Sequence, residues 1–352
     1  MERILVTGGA GFVGSTLALG LKAKYPHSQV MALDNLKRRG SELNLPRFRA
    51  AGIDFIHGDI RSPEDLEADA LRPTLIVECS AEPSVLAGYS SPGYVLQTNL
   101  VGTINCLELA RKTGADLLFF STSRVYPIEP IRQLAYEETT TRFQLLDQTL
   151  AGASAAGIAE SFPLTGARSL YGATKLASEL LITEYADAYG LRTVINRCGV
   201  LTGPWQMGKV DQGVFALWML AHYFGRPLKY IGFGGTGKQV RDFLHGADLL
   251  DLVLLQLERL DEVQGQIFNV GGGVENSLSL LETTRLCQEI TGREVAIEAS
   301  SQDRPGDIPI FITDSTQVKA RLGWQPRRDA RQTLTDLYDW IDQQGEGLRG
   351  VL

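Results

Sequence analysis

The chain has 352 residues, 44% of them hydrophobic, enough for a large core or for two lobes around one cleft. A net charge of -7 and a pI of about 5.3 argue against non-specific nucleic-acid binding, so local Lys or Arg must hold any anionic small molecule. No apolar run reaches the roughly 18 residues needed to span a membrane. Met1 to Val6 runs straight into a strand pattern and leaves no room for a signal peptide. Cys79, Cys106, Cys198 and Cys287 show neither CxxC nor metal spacing, so reduced thiols in a cytoplasmic protein are expected. His27, His57, His222 and His245 form no pair with metal spacing, and no metal is expected.

In chain order, Ile4 to Thr7 reads as a buried strand and Phe12 to Lys24 as a helix. Val30 to Leu33, Asp54 to His57 and Leu75 to Cys79 read as strands, Asn99 to Thr113 as a helix and Leu117 to Ser121 as a strand. Continuous apolar strands alternating with helices predict an α/β fold with a Rossmann-type, doubly wound parallel sheet. The pattern weakens from Tyr126 to Tyr171, a stretch too long for a structureless loop and so expected to be functional or partly folded. Regularity returns with a helix around Leu170 to Tyr189 and a strand from Thr193 to Asn196. Beyond Gly203 the chain is Gly-rich and aromatic through Gly237, and the last third reads as two more helices with few strands. With no polar linker, two interleaved lobes are expected. Residues 1–201 with about 236–272 would bind the cofactor; about 202–235 with 273–352 would form a smaller substrate domain.

Thr7-Gly8-Gly9-Ala10-Gly11-Phe12-Val13-Gly14 follows the first strand and opens the first helix. Glycine permits the sharp turn and the close approach of backbone to a pyrophosphate, and the helix N-terminus offers free N–H groups and partial positive charge. Asp34 ends the second strand twenty residues after Gly14, where a carboxylate can accept hydrogen bonds from the adenosine ribose. Its charge would repel a 2′-phosphate, whereas Lys37, Arg38 and Arg39 could bind one; the reading taken is NAD.

Tyr171 and Lys175 are four residues apart, which on a helix puts a phenol and an ammonium on one face. An ammonium favours the phenolate, which can act as a base near neutral pH. Such a pair is weak evidence alone and gains force downstream of a dinucleotide site and of the hydroxyl-rich strand end Ser121-Thr122-Ser123.

Gly8 to Gly14, Asp34, Asp59-Ile60, Thr122 with Val125-Tyr126, Tyr171 with Lys175, Arg241-Asp242 and Leu322 to Pro326 together resemble the extended short-chain dehydrogenase/reductases over nearly the whole chain. The resemblance implies Tyr171 as acid/base, Lys175 on the nicotinamide ribose and Thr122 on the reacting sugar oxygen. It implies a cofactor set of Gly8, Gly11, Phe12, Val13, Gly14, Asp34, Asn35, Asp59, Ile60, Ala81, Asn99, Tyr171 and Lys175, with Asp59 and Ile60 at adenine.

Members of the family act on nucleotide-linked sugars. The 4,6-dehydratases carry an Asp-Glu pair after the Thr, where this chain has Ser123-Arg124; reductases consume NADPH, which Asp34 disfavours. Asn196 to Gly213 and Tyr230 to Asp242 look like the corresponding segments of the CDP-tyvelose (CDP-paratose) 2-epimerases, although the wider family often has Asn where Val200 stands. The resemblance therefore implies C2 epimerisation on retained NAD. A CDP-glucose-type 2-epimerase, a 4-epimerase and a non-catalytic dinucleotide sensor remain as alternatives. It places Arg241 and Arg304 on the substrate diphosphate, and Arg124, Asn196, Gln206, Lys209 and Gln212 in the nucleotide-sugar pocket. Related enzymes usually dimerise through the helices containing Asn99 to Thr113 and Tyr171 to Tyr189, so a homodimer is expected.

Overall fold

The computed structural model describes residues 2–208, 212–302 and 304–348. The first of two units comprises Met1–Val125, Leu170–Arg197 and Leu249–Phe268. It is built from β1 (Arg3–Thr7), α1 (Phe12–Lys24), β2 (Gln29–Asp34), α2 (Leu45–Ala51), β3 (Asp54–His57), β4 (Leu75–Glu78), α3 (Gly102–Thr113), β5 (Asp116–Thr122), α4 (Leu170–Tyr189), β6 (Thr193–Cys198), α5 (Gly246–Glu258) and β7 (Gln266–Val270), the last three crossing its boundaries. The seven strands form one sheet in the order β7-β6-β5-β4-β1-β2-β3. The pairs β3–β2, β2–β1, β1–β4 and β4–β5 are all parallel.

The strands are apolar without alternation because helices cover both faces; Ile4, Leu5 and Val6 are all 0% exposed. One layer joins Leu5, Met31, Leu33, Ile76, Leu117 and Phe119 of the sheet to Cys106, Leu107 and Ala110 of α3 and Ile182 of α4. The strand order reverses at β1–β4, so the C-terminal ends of β1 and β4 diverge there and bound the crevice where such sheets bind ligands. A π-turn over Gln97–Val101 leads into α3, continuing a helical path that starts at Pro92, earlier than the periodicity predicts. Helix α2 is likewise absent from the sequence reading.

The second unit comprises Tyr126–Ser169, Cys198–Asp248 and Asn269–Leu352. Its central strand, Val240–His245, runs parallel to Val200–Thr202 and Ile310–Phe311 and antiparallel to Ser277–Ser279. Helices Val214–Phe224, Leu280–Thr291 and Ala330–Gln344 pack on one another. A capping box starts the second of these: Ser279 accepts from Glu282 N, and Glu282 accepts from Ser279 N. The last third thus holds more helix and more strand than the sequence pattern predicts.

The long segment after Tyr126 is partly folded, into helix Ile128–Arg132 and two short hairpins. Its hydrogen bonds go to distant partners: Ile158 N donates to Ile312 O, Phe143 N to Lys238 O and Asn269 Nδ2 to Ile158 O. This segment therefore clusters with the second unit, as do residues 236–248, whereas the sequence reading puts both in the cofactor lobe.

Candidate active site

The first unit carries the dinucleotide-binding features. Gly8 has φ 62°, and a Cβ on Gly14 would lie 2.1 Å from Gly8 O, so neither position of this turn accepts a side chain. Gly11 caps α1 with no side-chain hydrogen bond, and the first turn, Phe12-Val13-Gly14, holds no acid. An uncapped helix start beside a glycine turn fits a pyrophosphate. Asp34, at the end of β2, accepts from Ala10 N at 3.0 Å and Leu36 N at 2.8 Å. Burial pushes its carboxyl up, and these backbone donors oppose that. Its remaining lone pairs suit ribose hydroxyls. Lys37 sets its ammonium 3.1 Å from the centroid of the Tyr94 ring. These residues fit a bound NAD.

Asn35 Nδ2 donates to Asp59 Oδ2 at 2.8 Å, and Arg61 grips the same carboxylate, holding it well below the usual range. Ile60 is 3% exposed and belongs to the core, and its carbonyl accepts from Asn105 Nδ2 at 2.8 Å, so its carbonyl is not open to an adenine. Ala81 lies half-buried beyond β4.

Asn99, assigned to the cofactor by the resemblance, is tied into the fold by its amide. It is 0% exposed; its Oδ1 accepts from Glu82 N, and its Nδ2 donates to Glu82 O and Thr174 Oγ1. Asn99 is a strut between the loop after β4 and helix α4, with its amide engaged inside the fold.

Thr122 ends β5, and its Oγ1 accepts from Arg124 N at 3.1 Å, which leaves the hydroxyl proton to donate elsewhere. Tyr171 occupies the first turn of α4 with Lys175 one turn on; Thr122, Tyr171 and Lys175 are 7%, 8% and 1% exposed. A Cβ on Gly172 would lie 1.9 Å from Arg124 O, so α4 touches the turn that follows Thr122. Gly172→Ala is therefore expected to displace Tyr171 and to cut turnover on the order of a hundredfold. Assay of turnover beside NAD content checks this, and wild-type turnover would mean the turn yields freely.

Below Lys175, α4 carries Glu179, paired with Arg197 of β6 at 2.7 Å and accepting from Ser121 Oγ. Glu78 ends β4 at 0% exposure. Sequence reasoning passed over both acids, although a single acid ending an apolar strand was a usable signal at Glu78.

In the second unit, Arg241 donates to Asp307 Oδ1 at 2.9 Å and to Ile308 O at 2.7 Å. Asp307 closes the Arg304-Pro305-Gly306-Asp307 turn, whose Gly306 has φ 72°. The two predicted arginines thus meet at one turn. Asp242 beside Arg241 is buried, accepts from Gly272 N and Gly273 N, and is pushed up by burial to about 6. Arg124 and Gln212 are half-buried, and Lys209 lies outside the described residues.

Two predicted substrate contacts spend amide hydrogen bonds within the fold. Asn196 is 0% exposed and exchanges amide hydrogen bonds with Gln256 in the first unit. Gln206 accepts from Thr202 Oγ1 and donates to Leu201 O, so its amide staples its own loop.

The sequence profile of the NAD dependent epimerase/dehydratase family matches residues 4–271. The chain is 30% identical to a CDP-paratose 2-epimerase from Salmonella typhi, over 96% of this chain and 98% of that one. It is 27% identical to a dTDP-glucose 4,6-dehydratase from Neisseria meningitidis serogroup B, over 97% and 93%. Among solved structures, the NAD complex of a UDP-glucose 4-epimerase from Thermus thermophilus superposes with a TM-score of 0.78 at 27% identity, covering 97% of this chain and 99% of that one. The glycine turn, Asp34 and the Tyr171–Lys175 helix fall within the matched span, and the chain belongs to the NAD-dependent epimerase/dehydratase family.

Proposed function

We propose that the protein is a nucleotide-sugar epimerase that interconverts CDP-paratose and CDP-tyvelose at C2. The observation that carries this reading is the likeness to a CDP-paratose 2-epimerase along nearly the full length of both chains. Ser123-Arg124 after Thr122 supports epimerisation over dehydration, since neither residue supplies the acid pair that water elimination uses.

When bound, NAD+ supplies hydride chemistry at the sugar carbon. The Tyr171 phenolate takes the proton of the 2-hydroxyl and later returns it. Lys175 holds the nicotinamide ribose and favours the phenolate. Thr122 hydrogen-bonds the same sugar oxygen. Arg241 and Arg304 take the diphosphate, for which planar guanidinium geometry is suited, with Arg124, Lys209 and Gln212 toward the nucleotide-sugar. The transient 2-keto sugar must turn over before it is reduced on the opposite face, so water has to be kept out. The same reading makes the protein a homodimer through α3 and α4, on which Leu180 is 63% exposed. Among the described residues no helix is long and apolar enough to cross a membrane.

Proton NMR of the purified protein with CDP-paratose in deuterated water, with no cofactor added, tests the reaction. A new anomeric signal for CDP-tyvelose with protium kept at C2 is the expected result. Deuterium at C2 would indicate enolisation and sink the hydride scheme. No turnover would remove CDP-paratose as substrate and turn the same assay to CDP-glucose and UDP-glucose.

A further inference from the structure

Glu78 takes no part in the chemistry proposed above, yet it lies in the most costly place for a carboxylate. It is 0% exposed at the end of the apolar run Leu75-Ile76-Val77, and a buried charge is strongly unfavourable unless it is paired. Its Oε1 accepts from Thr103 Oγ1 at 2.7 Å, while Oε2 is buried and accepts no hydrogen bond among the described residues. Strands β4 and β5 are parallel, with Glu78 opposite Phe119. Partnered residues in such a ladder project from the same face of the sheet. Lys175 is 1% exposed and sets its ammonium 4.2 Å from the centroid of the Phe119 ring. Carboxylate and ammonium therefore stand over neighbouring positions on one face, beneath α4. Burial pushes the Glu78 carboxyl up, and Lys175 pulls it back. Glu179, the next acid along α4, is taken by Arg197 and Ser121.

We propose that Glu78 is the buried counter-ion of Lys175, a positioning residue that keeps the ammonium protonated and directed and so sets the pH range in which Tyr171 works as a base. This rests on the reading of Tyr171 and Lys175 as the acid/base pair. Thr103 of α3 and Thr7 of β1, opposite Glu78, are hydroxyls. Cys106 of α3 is held as the neutral thiol by burial and by Glu78 itself. Tyr171 stands one turn back on α4. Removing the carboxylate takes an anion away from a buried ammonium seated over the Phe119 ring, where burial favours loss of its proton.

Two measurements test this. The first is kcat/KM on CDP-paratose against pH. In Glu78→Gln the alkaline limb is expected about one pH unit lower than in the wild type, a tenfold change in the proton affinity of Lys175, whereas Glu78→Asp keeps it in place. A limb that Glu78→Gln leaves unmoved would overturn the proposal. The second is a urea-unfolding cycle that needs no activity and stays readable if one single variant folds poorly. Lys175→Met strands the Glu78 charge, so adding Glu78→Gln is expected to raise the midpoint above that of Lys175→Met alone. Losses that simply add would show that the two groups do not interact. Should Tyr171→Phe retain turnover, the acid/base reading fails, while the urea cycle still decides whether Glu78 and Lys175 are a pair.

Discussion

Tyr171→Phe is expected to lower turnover on the order of a thousandfold while the purified protein keeps its NAD. The substitution removes one oxygen from a residue that is 8% exposed, so the ring still fills its place in the first turn of α4. The cofactor elements assigned to the glycine turn and Asp34 are untouched. What disappears is the only group proposed to take and return the hydroxyl proton. Turnover by NMR, with NAD released by denaturation and measured by absorbance, separates the two effects. Turnover near the wild-type rate would remove Tyr171 from the mechanism; loss of NAD would show that the phenol also holds the cofactor.

Arg197→Met is expected to destabilise the protein by about 3–5 kcal/mol. Arg197 and Glu179 have side chains 5% and 2% exposed and meet at Nη2–Oε2 2.7 Å and Nε–Oε1 3.1 Å. The variant leaves a buried carboxylate whose remaining side-chain donor, among the described residues, is the Ser121 hydroxyl. Against a typical total of about 5–15 kcal/mol that loss is large, and it falls on the helix that carries Tyr171 and Lys175. The double variant Glu179→Met with Arg197→Met is expected to recover most of the loss, because an apolar pair leaves no stranded charge. The urea midpoint is the measurement. A double variant no more stable than Arg197→Met would mean that packing, and not charge, decides at this site.

The parts of the molecule legible in the sequence are those set by neighbours along the chain. Phe12–Lys24 and Leu170–Tyr189 follow from helical periodicity, and Asp54–His57 from a short β-rich run. The glycine turn is equally local, because Gly14 must meet Gly8 six residues earlier. Lys175 lies one helical turn from Tyr171 whatever surrounds them.

Where a polar side chain spends its hydrogen bonds is a different matter. The Asn99 amide goes to Thr174, 75 residues on, and that of Asn196 to Gln256, 60 residues on. Each had the right residue type for a ligand contact, and tertiary packing used it as a strut. Gln206 shows the same over a shorter reach, folded back on Thr202 and Leu201. The segment after Tyr126 lacked a readable period because its short hairpins depend on Lys238 and Ile312 for their pairing. The sequence by itself determined the nucleotide-binding fold, the cofactor turn and the Tyr171–Lys175 helix, since all three rest on local periodicity and backbone sterics. Only the tertiary structure decided which buried polar groups face one another, Glu78 and Lys175 among them, because burial makes each such group take whatever partner the packing brings within reach.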